Sequence, residues 1–510
     1  MSSFRILLVG GGLLCAISAI YVRNLQDGSA VFPTLRHFQP RDIRIRDAEG
    51  AIRRFAEGLQ FKTVSRSNGS NETEGWDAFS GLHAHLTHSY PVVFSKLRLE
   101  KVSEWSLLFK WPGRDSSLKP VLCISHQDVV PATSESAWTQ HPFSGARAGG
   151  YIWGRGAQDV KITIFAMLEA VTALLDQGFQ PERTLYLAFG HDEEVGGGHG
   201  ARAVADVLRK RGVQLAFVLD EGGPLLVDGL QPFIRDKAVA LVGTAEKGYV
   251  SMDVSFRGKG GHSSLPPVDG TQAVTQLSRF LTDMHAHLPI ARIVPPTLEF
   301  LQAVGAASSN PVISFVLARC ASWPLKPLLA LFLARQPGEV AAGVRTTVAV
   351  TGVTTHPAAG NVLPSLATAQ LNFRYLPGEV GDFAERYLQN LLPRHADVEV
   401  KVHERHEMAS AVTPVTGSAF AIVHQAVQET LAKDRVVATV PFLLTGGTDS
   451  KHYQDLCGGQ TLRFMPVAMN RTAGDLKRIH GMDERVAEGA FLDAIRFYIR
   501  FFQLALGGDE

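Results

Sequence analysis

The 510-residue chain has little cysteine and almost no net charge. Its four cysteines, Cys15, Cys123, Cys320 and Cys457, are widely scattered and none belongs to a CxxC pair. That spacing argues against a zinc finger and offers no disulfide framework. Cys123 lies in an apolar run and reads as a small core residue. The scarcity does not fix a redox compartment, because a large core needs no disulfide even outside the cell. A formal net charge of +1, with no long run of like charge, leaves no footprint for nucleic acid and no interaction tail. What is abundant is apolar: 45% of residues are hydrophobic, enough for a sizeable core, and the length suits two or three domains.

Arg5 precedes an uncharged apolar run over residues 6–22, which Arg23 closes. The run is long for the apolar part of a signal peptide and short for a spanning helix. Residues 1–23 are therefore expected to be a signal peptide or membrane anchor, leaving the protein secreted or membrane-anchored. Gly10, Gly11 and Gly12 would make a poor soluble core helix. Asn68, Asn71 and Asn470 each head an Asn-X-Ser/Thr sequence, which fits export.

Residues 24–41 read as a linker and 65–74 as a polar loop. Between them, 42–60 has helical spacing, with Ile45, Ala48, Ile52, Phe55 and Leu59 on one face. Strands are predicted at 120–125, 184–189 and 215–219, with helices at 160–175 and 199–211. Buried strands alternating with helices imply a parallel or mixed sheet covered on both faces. In such sheets chemistry gathers at the carboxyl ends of strands.

The pattern changes near Gly248. Residues 249–256 alternate as a half-buried strand, with Val250, Met252, Val254 and Phe256 on one side. A helix at 270–288 follows, then strands at 346–351 and 367–374, a helix at 380–392 and a strand at 398–402. This order describes a small α/β sandwich. It is expected as a separate domain, 247–404, inserted between two parts of the first, 45–246 and 405–510, the latter ending in a helix at 484–506. Within the insertion, 311–337 carries few charges. It reads either as a pair of core helices or as an apolar surface for an acyl chain or membrane.

Several chemically active side chains fall at element ends. His126 and Asp128 follow the first strand. A lone histidine is more often structural, but a carboxylate two residues away can orient a zinc-bound imidazole. Asp159 opens a helix, a place equally suited to an N-cap or a ligand. Glu193 and Glu194 leave a buried strand beside a glycine run, where adjacent glutamates are costly unless paired or metal-bound. One can ligate while its neighbour holds a proton. Asp220 ends the third strand, and His480 precedes the last helix. Such a nitrogen–oxygen donor set suits zinc, with cobalt or manganese as alternatives. Two ions sharing a carboxylate can activate water at neutral pH.

As an ordered set, these motifs resemble those of the aminoacylase and carboxypeptidase S family of dinuclear-zinc exopeptidases, in particular its N-fatty-acyl-amino-acid synthase/hydrolase branch. The likeness covers nearly everything after residue 45. It implies one Zn2+ on His126, Asp159 and Asp220 and a second on Asp159, Glu194 and His480, with Asp159 bridging. It implies Glu193 as general base, oriented chemistry at His126 through Asp128, and oxyanion stabilisation by His262 of the Gly260-Gly261-His262-Ser263-Ser264 segment. In many relatives that histidine comes from the partner of a homodimer formed through the lid. Asn361 and Arg374 would hold substrate, the arginine by pairing with a carboxylate. Gly447 and Thr448 belong to a segment resembling the family's glycine-rich substrate loop. The implied fold is a zinc-exopeptidase catalytic domain, a mixed sheet covered by helices, with an inserted ferredoxin-like α/β lid. The implied reaction is hydrolysis, in principle reversible, of an N-acyl amino acid or of a C-terminal peptide bond, on a substrate with a free carboxylate. An aminopeptidase of related fold would instead need a free substrate amine. A non-catalytic, receptor-like homologue would have lost a ligand or Glu193.

Overall fold

The computed structural model describes residues 35–507, except 66–75, 337, 380, 395 and 403–406. The apolar run at 6–22, Asn68 and Asn71 thus lie outside the described residues. Among the described residues, no helix is long and apolar enough to cross a membrane.

Helix α1 (Ala48–Gly58) leads into an eight-stranded sheet. Its strands are β1 (Arg98–Val102), β2 (Ser106–Trp111), β3 (Val121–His126), β4 (Leu185–Gly190), β5 (Phe217–Leu226), β6 (Ala238–Glu246) and two late ones described below. Strands β3 and β4 are buried at every position, as expected for central strands covered on both faces. They pair in parallel, and β3 also pairs in parallel with β5. One face is covered by α2 (Lys161–Asp176), whose Ile162, Phe165, Met167, Leu168 and Val171 join the main core. The opposite face is covered by α3 (Ala201–Lys210), where Val204, Ala205 and Leu208 meet Leu122, Ile124 and Tyr453.

At Lys247 the chain leaves β6 for a second sheet, which begins with β7 (Gly248–Arg257). After α4 (Ala273–Ala286) comes a helical run, α5 (Thr297–Ala307), α6 (Pro311–Ala318) and α7 (Leu325–Leu333). Strands β8 (Thr347–His356) and β9 (Leu366–Tyr375), helix α8 (Phe383–Leu391) and strand β10 (Val398–Val402) complete the unit. Its antiparallel sheet runs β8-β9-β7-β10. This is the ferredoxin-like order expected from the strand–helix–strand–strand–helix–strand pattern. Val250, Met252, Val254 and Phe256 of β7 pack with Leu371 and Phe373 of β9 against Leu277, Phe280 and Leu388 of the two helices.

The helical run behaves differently from the rest of the insertion. Leu301, Val304, Leu317, Ala330 and Leu333 join the main core of the first unit, not that of the small sheet. Helix α5 packs on β11 (Val437–Leu444), the edge strand of the eight-stranded sheet. Through α5 the run is tied to the edge strand of that sheet. Its outer side remains apolar: Val312, Trp323, Leu331 and Phe332 are exposed.

Helix α9 (Ser418–Thr430), β11 and β12 (Thr461–Met469) return to the first unit, giving the order β1-β2-β4-β3-β5-β12-β6-β11. The final helix, α10 (Glu488–Leu506), starts later than the periodicity predicts. Arg485–Ala487 is first drawn into a strand pairing with Tyr151–Trp153, and Glu484 is wholly buried.

Candidate metal centre

His126 is the last residue of β3 and is buried. Its Nδ1 lies 2.9 Å from the Asp128 carbonyl oxygen and 3.4 Å from the Asp128 carboxylate. An Nδ1–H donated to that carbonyl leaves Nε2 free for a cation. Nε2 is 3.2 Å from Asp159 Oδ1 and 3.2 Å from Glu221 Oε1. On the other side, His480 Nε2 is 3.0 Å from Asp159 Oδ2 and 3.2 Å from Glu194 Oε2. Donors held about 2.0–2.1 Å from one tetrahedral ion stand roughly 3.3 Å apart, which is the spacing found on both sides. Asp159 thus offers one oxygen to each imidazole.

The supporting contacts explain how the chain holds this geometry. The Asp128 carboxylate accepts N–H bonds from Glu193 (3.2 Å) and Glu194 (3.1 Å), so one side chain positions both His126 and the two-glutamate turn. Glu484 accepts from the N–H of Gln158 (2.6 Å) and of Asp159 (3.1 Å) and is paired with Arg155 Nη1 at 2.6 Å. His480 adopts φ 58°, a left-handed conformation that a non-glycine residue keeps only where its surroundings enforce it.

One expected ligand is displaced. Asp220 is buried but faces away: its Oδ2 accepts from Ser450 N at 2.8 Å and its Oδ1 from Glu221 N at 2.8 Å. Glu221 takes the place assigned to it and groups with His126 and Glu193, as Glu194 groups with His126 and Asp159. The cause is a bulge. Pairing of β5 with β12 jumps from Asp220↔Arg463 to Gly223↔Phe464, and a bulge re-aims the side chains it carries.

The remaining expected site residues divide. Glu193, Glu194, Arg374, Gly447 and His480 line one cavity of about 1250 Å3 between the two units. Thr448 does not: its hydroxyl donates to Glu246 Oε1 at 2.6 Å, inside a buried network with Ser450 and Arg463. It supports the loop rather than facing substrate. His262 and Asn361 lie at a separate two-stranded ribbon of the insertion, where Gly261–His262 pairs with Val362–Leu363 just after Asn361, and both are exposed. Neither lines the cavity. His262 Nδ1 is instead 2.7 Å from Ser264 Oγ.

The electrostatics call for a cation. Burial pushes Glu193 well above the usual carboxylate range despite the nearby His126, with Glu221 adding to the rise. Burial, then the Asp159 charge, raises Glu221 to about 8. Hydrogen bonds to Asp159 and Glu194 push His480 up to about 10. Burial works against protonation of His126, yet Glu221, Asp128 and Asp159 together hold it well above its ordinary value. Glu194 Oε1 is buried without a hydrogen-bond partner. Crowded carboxylates that hold protons, with an orphaned oxygen among them, are the signature of donors suited to positive ions. The residues present fit a two-ion site.

An imidazole–carboxylate cluster at the ends of buried strands, beside a protonatable glutamate and a deep cavity, defines a metal-dependent hydrolase site. The chain belongs to peptidase family M20/M25/M40, which it matches over residues 122–504. It is 32% identical over 501 residues to a probable carboxypeptidase S-like protein of Dictyostelium discoideum, covering 97% of this chain and 92% of that one. It is 31% identical over 497 residues to an N-fatty-acyl-amino acid synthase/hydrolase of Xenopus tropicalis, covering 96% and 93%. Among solved structures, an M20 family metallo-carboxypeptidase from Sulfolobus solfataricus shares the fold with a TM-score of 0.64 and 17% identity, covering 89% of this chain and 98% of that one.

Proposed function

We propose that this protein is a dinuclear zinc amidohydrolase that cleaves N-acyl amino acids or C-terminal peptide bonds. The observation that carries the reading is Asp159, whose two oxygens face His126 and His480 separately. His126, Asp159 and Glu221 would hold one ion, and Asp159, Glu194 and His480 the other. Once bound, the pair would polarise the scissile carbonyl and make a water acidic enough to attack at neutral pH. Glu193 then receives the proton of that water on its carboxylate and returns it to the departing amine nitrogen. Asp128 keeps His126 in the tautomer that presents Nε2, and holds the Glu193–Glu194 turn. Arg374 receives the substrate carboxylate, and the Gly447 backbone forms part of the cavity wall. In the reverse direction the same groups serve an amino acid amine attacking a fatty acid, with concentrations setting the direction.

His262 and Asn361 would complete the site from the second subunit of a homodimer, since both are exposed on the small unit, which would then act as a lid. The apolar outer side of α6 and α7 is where an acyl chain or membrane would make contact. The segment 1–23 would deliver the enzyme to the secretory route as a signal peptide or anchor. A receptor-like role is disfavoured by the intact donor set and Glu193; an aminopeptidase is disfavoured by the cation Arg374 in the cavity.

The test is a mass-spectrometric screen of the zinc-loaded protein against N-acyl amino acids and dipeptides. Turnover of amine-blocked substrates that keep a free carboxylate is expected. Activity on neither class would defeat the proposal.

A further inference from the structure

Of the cations lining the cavity, Lys247 is buried and has no assigned task. Lys247 is the residue on which the chain passes from β6 to β7, and it is only 4% exposed. It lines the same cavity as Glu193, Glu194 and Arg374. Its Nζ donates to the carbonyl oxygens of Ala342 (3.0 Å) and Arg345 (2.8 Å), which leaves one of three ammonium donors uncommitted. Arg374 lies flat on Tyr249, its guanidinium carbon 4.5 Å from the ring centroid, and Nε donates to Asn372 Oδ1 at 3.2 Å. Among the described residues, neither Lys247 nor Arg374 makes an ion pair. Of the acids that line the cavity, Glu246 pairs with Arg463, and Glu407 with Lys451.

Two cations lining one cavity, neither paired with a carboxylate, are expensive to keep charged. Burial and the Arg374 charge indeed lower Lys247 to about 7. An anion arriving between them removes that cost.

We propose that Lys247 and Arg374 together form a paired-cation subsite for the free carboxylate of the substrate, with Lys247 determining the preference for an acid over its neutral counterpart. This rests on the amidohydrolase reading above and names a residue that reading does not need. Arg374 supplies the flat edge for bidentate pairing. Lys247 supplies a point charge anchored by the 342–345 backbone, which follows the helical run α5–α7. The subsite therefore joins the hinge between the two units, the helical run and the substrate at one atom.

The experiment compares an N-acyl amino acid with its carboxamide on the full-length, zinc-loaded protein. Wild-type turnover of the acid tests the underlying reading independently of Lys247. Lys247→Gln keeps an amide donor for the Ala342 and Arg345 carbonyls but removes the charge. It should raise KM for the acid about tenfold or more, leave kcat little changed, and leave the carboxamide unaffected. Lys247→Met carries the same test if the glutamine variant does not fold. Equal losses on acid and carboxamide, no change on either, or failure of both variants to fold would overturn the proposal and leave Lys247 a structural residue of the hinge.

Discussion

Neighbouring side chains at this centre have opposite duties, and substitution should separate them. Glu193 and Glu194 share the Asp128 carboxylate through their backbone N–H groups, yet only Glu194 reaches His480. Glu193→Gln should lower kcat by about 10^2–10^4-fold while leaving bound metal unchanged, measured by steady-state kinetics beside elemental analysis. Retained turnover would remove the base assignment. Asp220 and Glu221 form a second such pair. Glu221→Ala should lose one of the two ions, whereas Asp220→Ala should keep both and lose folding stability, because buried Ser450 N would lose its 2.8 Å acceptor and keep only Thr448 Oγ1 at 3.4 Å. At this scale the sequence disclosed that a carboxylate follows the third strand, but not which. The answer depends on a bulge set by pairing with Arg463, some 240 residues downstream, which no local pattern carries. Thr448 stands off the cavity for a similar reason: its partner, Glu246, is remote in sequence.

At the scale of elements, the turn bearing Asp159 is fixed by a buried ion pair. Arg155 and Glu484 are both fully buried, and Glu484 also takes two backbone N–H groups of that turn. Glu484→Ala strands the guanidinium and should cost about 3–5 kcal/mol of unfolding free energy, read by denaturant titration, with reduced metal affinity as the local consequence. The parallel strands, their intervening helices and the small sandwich were legible because burial on both faces, or alternation, marks them directly in composition. The β1–β2 hairpin and the helix Trp76–Ser89 were not: β1 buries only Val102, and the helix buries His83 among Phe79, Leu82 and Leu86. The stretch 311–337 was recognised as helical and apolar, but its allegiance was not. Its Leu317, Ala330 and Leu333 join the main core of the other unit, with α6 packed on α5 and α5 on β11, and only tertiary structure decides which partner an apolar face meets.

For the whole molecule, metal binding is linked to protons. Ligands must lose their protons to bind, and His480 holds its own to about pH 10 and Glu221 to about pH 8. Metal affinity should therefore fall as pH drops through these values, with net proton release on binding. Calorimetry in buffers of different ionisation enthalpy detects that release, and its absence would mean the two groups are already deprotonated in the free protein. If His262 acts across a dimer, then mixing Glu193→Gln and His262→Ala chains, each nearly inactive, should restore about a quarter of wild-type activity after subunit exchange, because half the dimers are mixed and each has one complete site. No recovery would place His262 outside the partner's site.

The central claim, that His126, Asp159, Glu194, Glu221 and His480 hold two ions about one shared aspartate, is tested most directly by anomalous diffraction from zinc-loaded crystals. The account predicts two peaks per chain with Asp159 between them, Glu221 on the His126 side and Glu194 on the His480 side. A single peak, or Asp220 on the metal with Glu221 turned away, would contradict it.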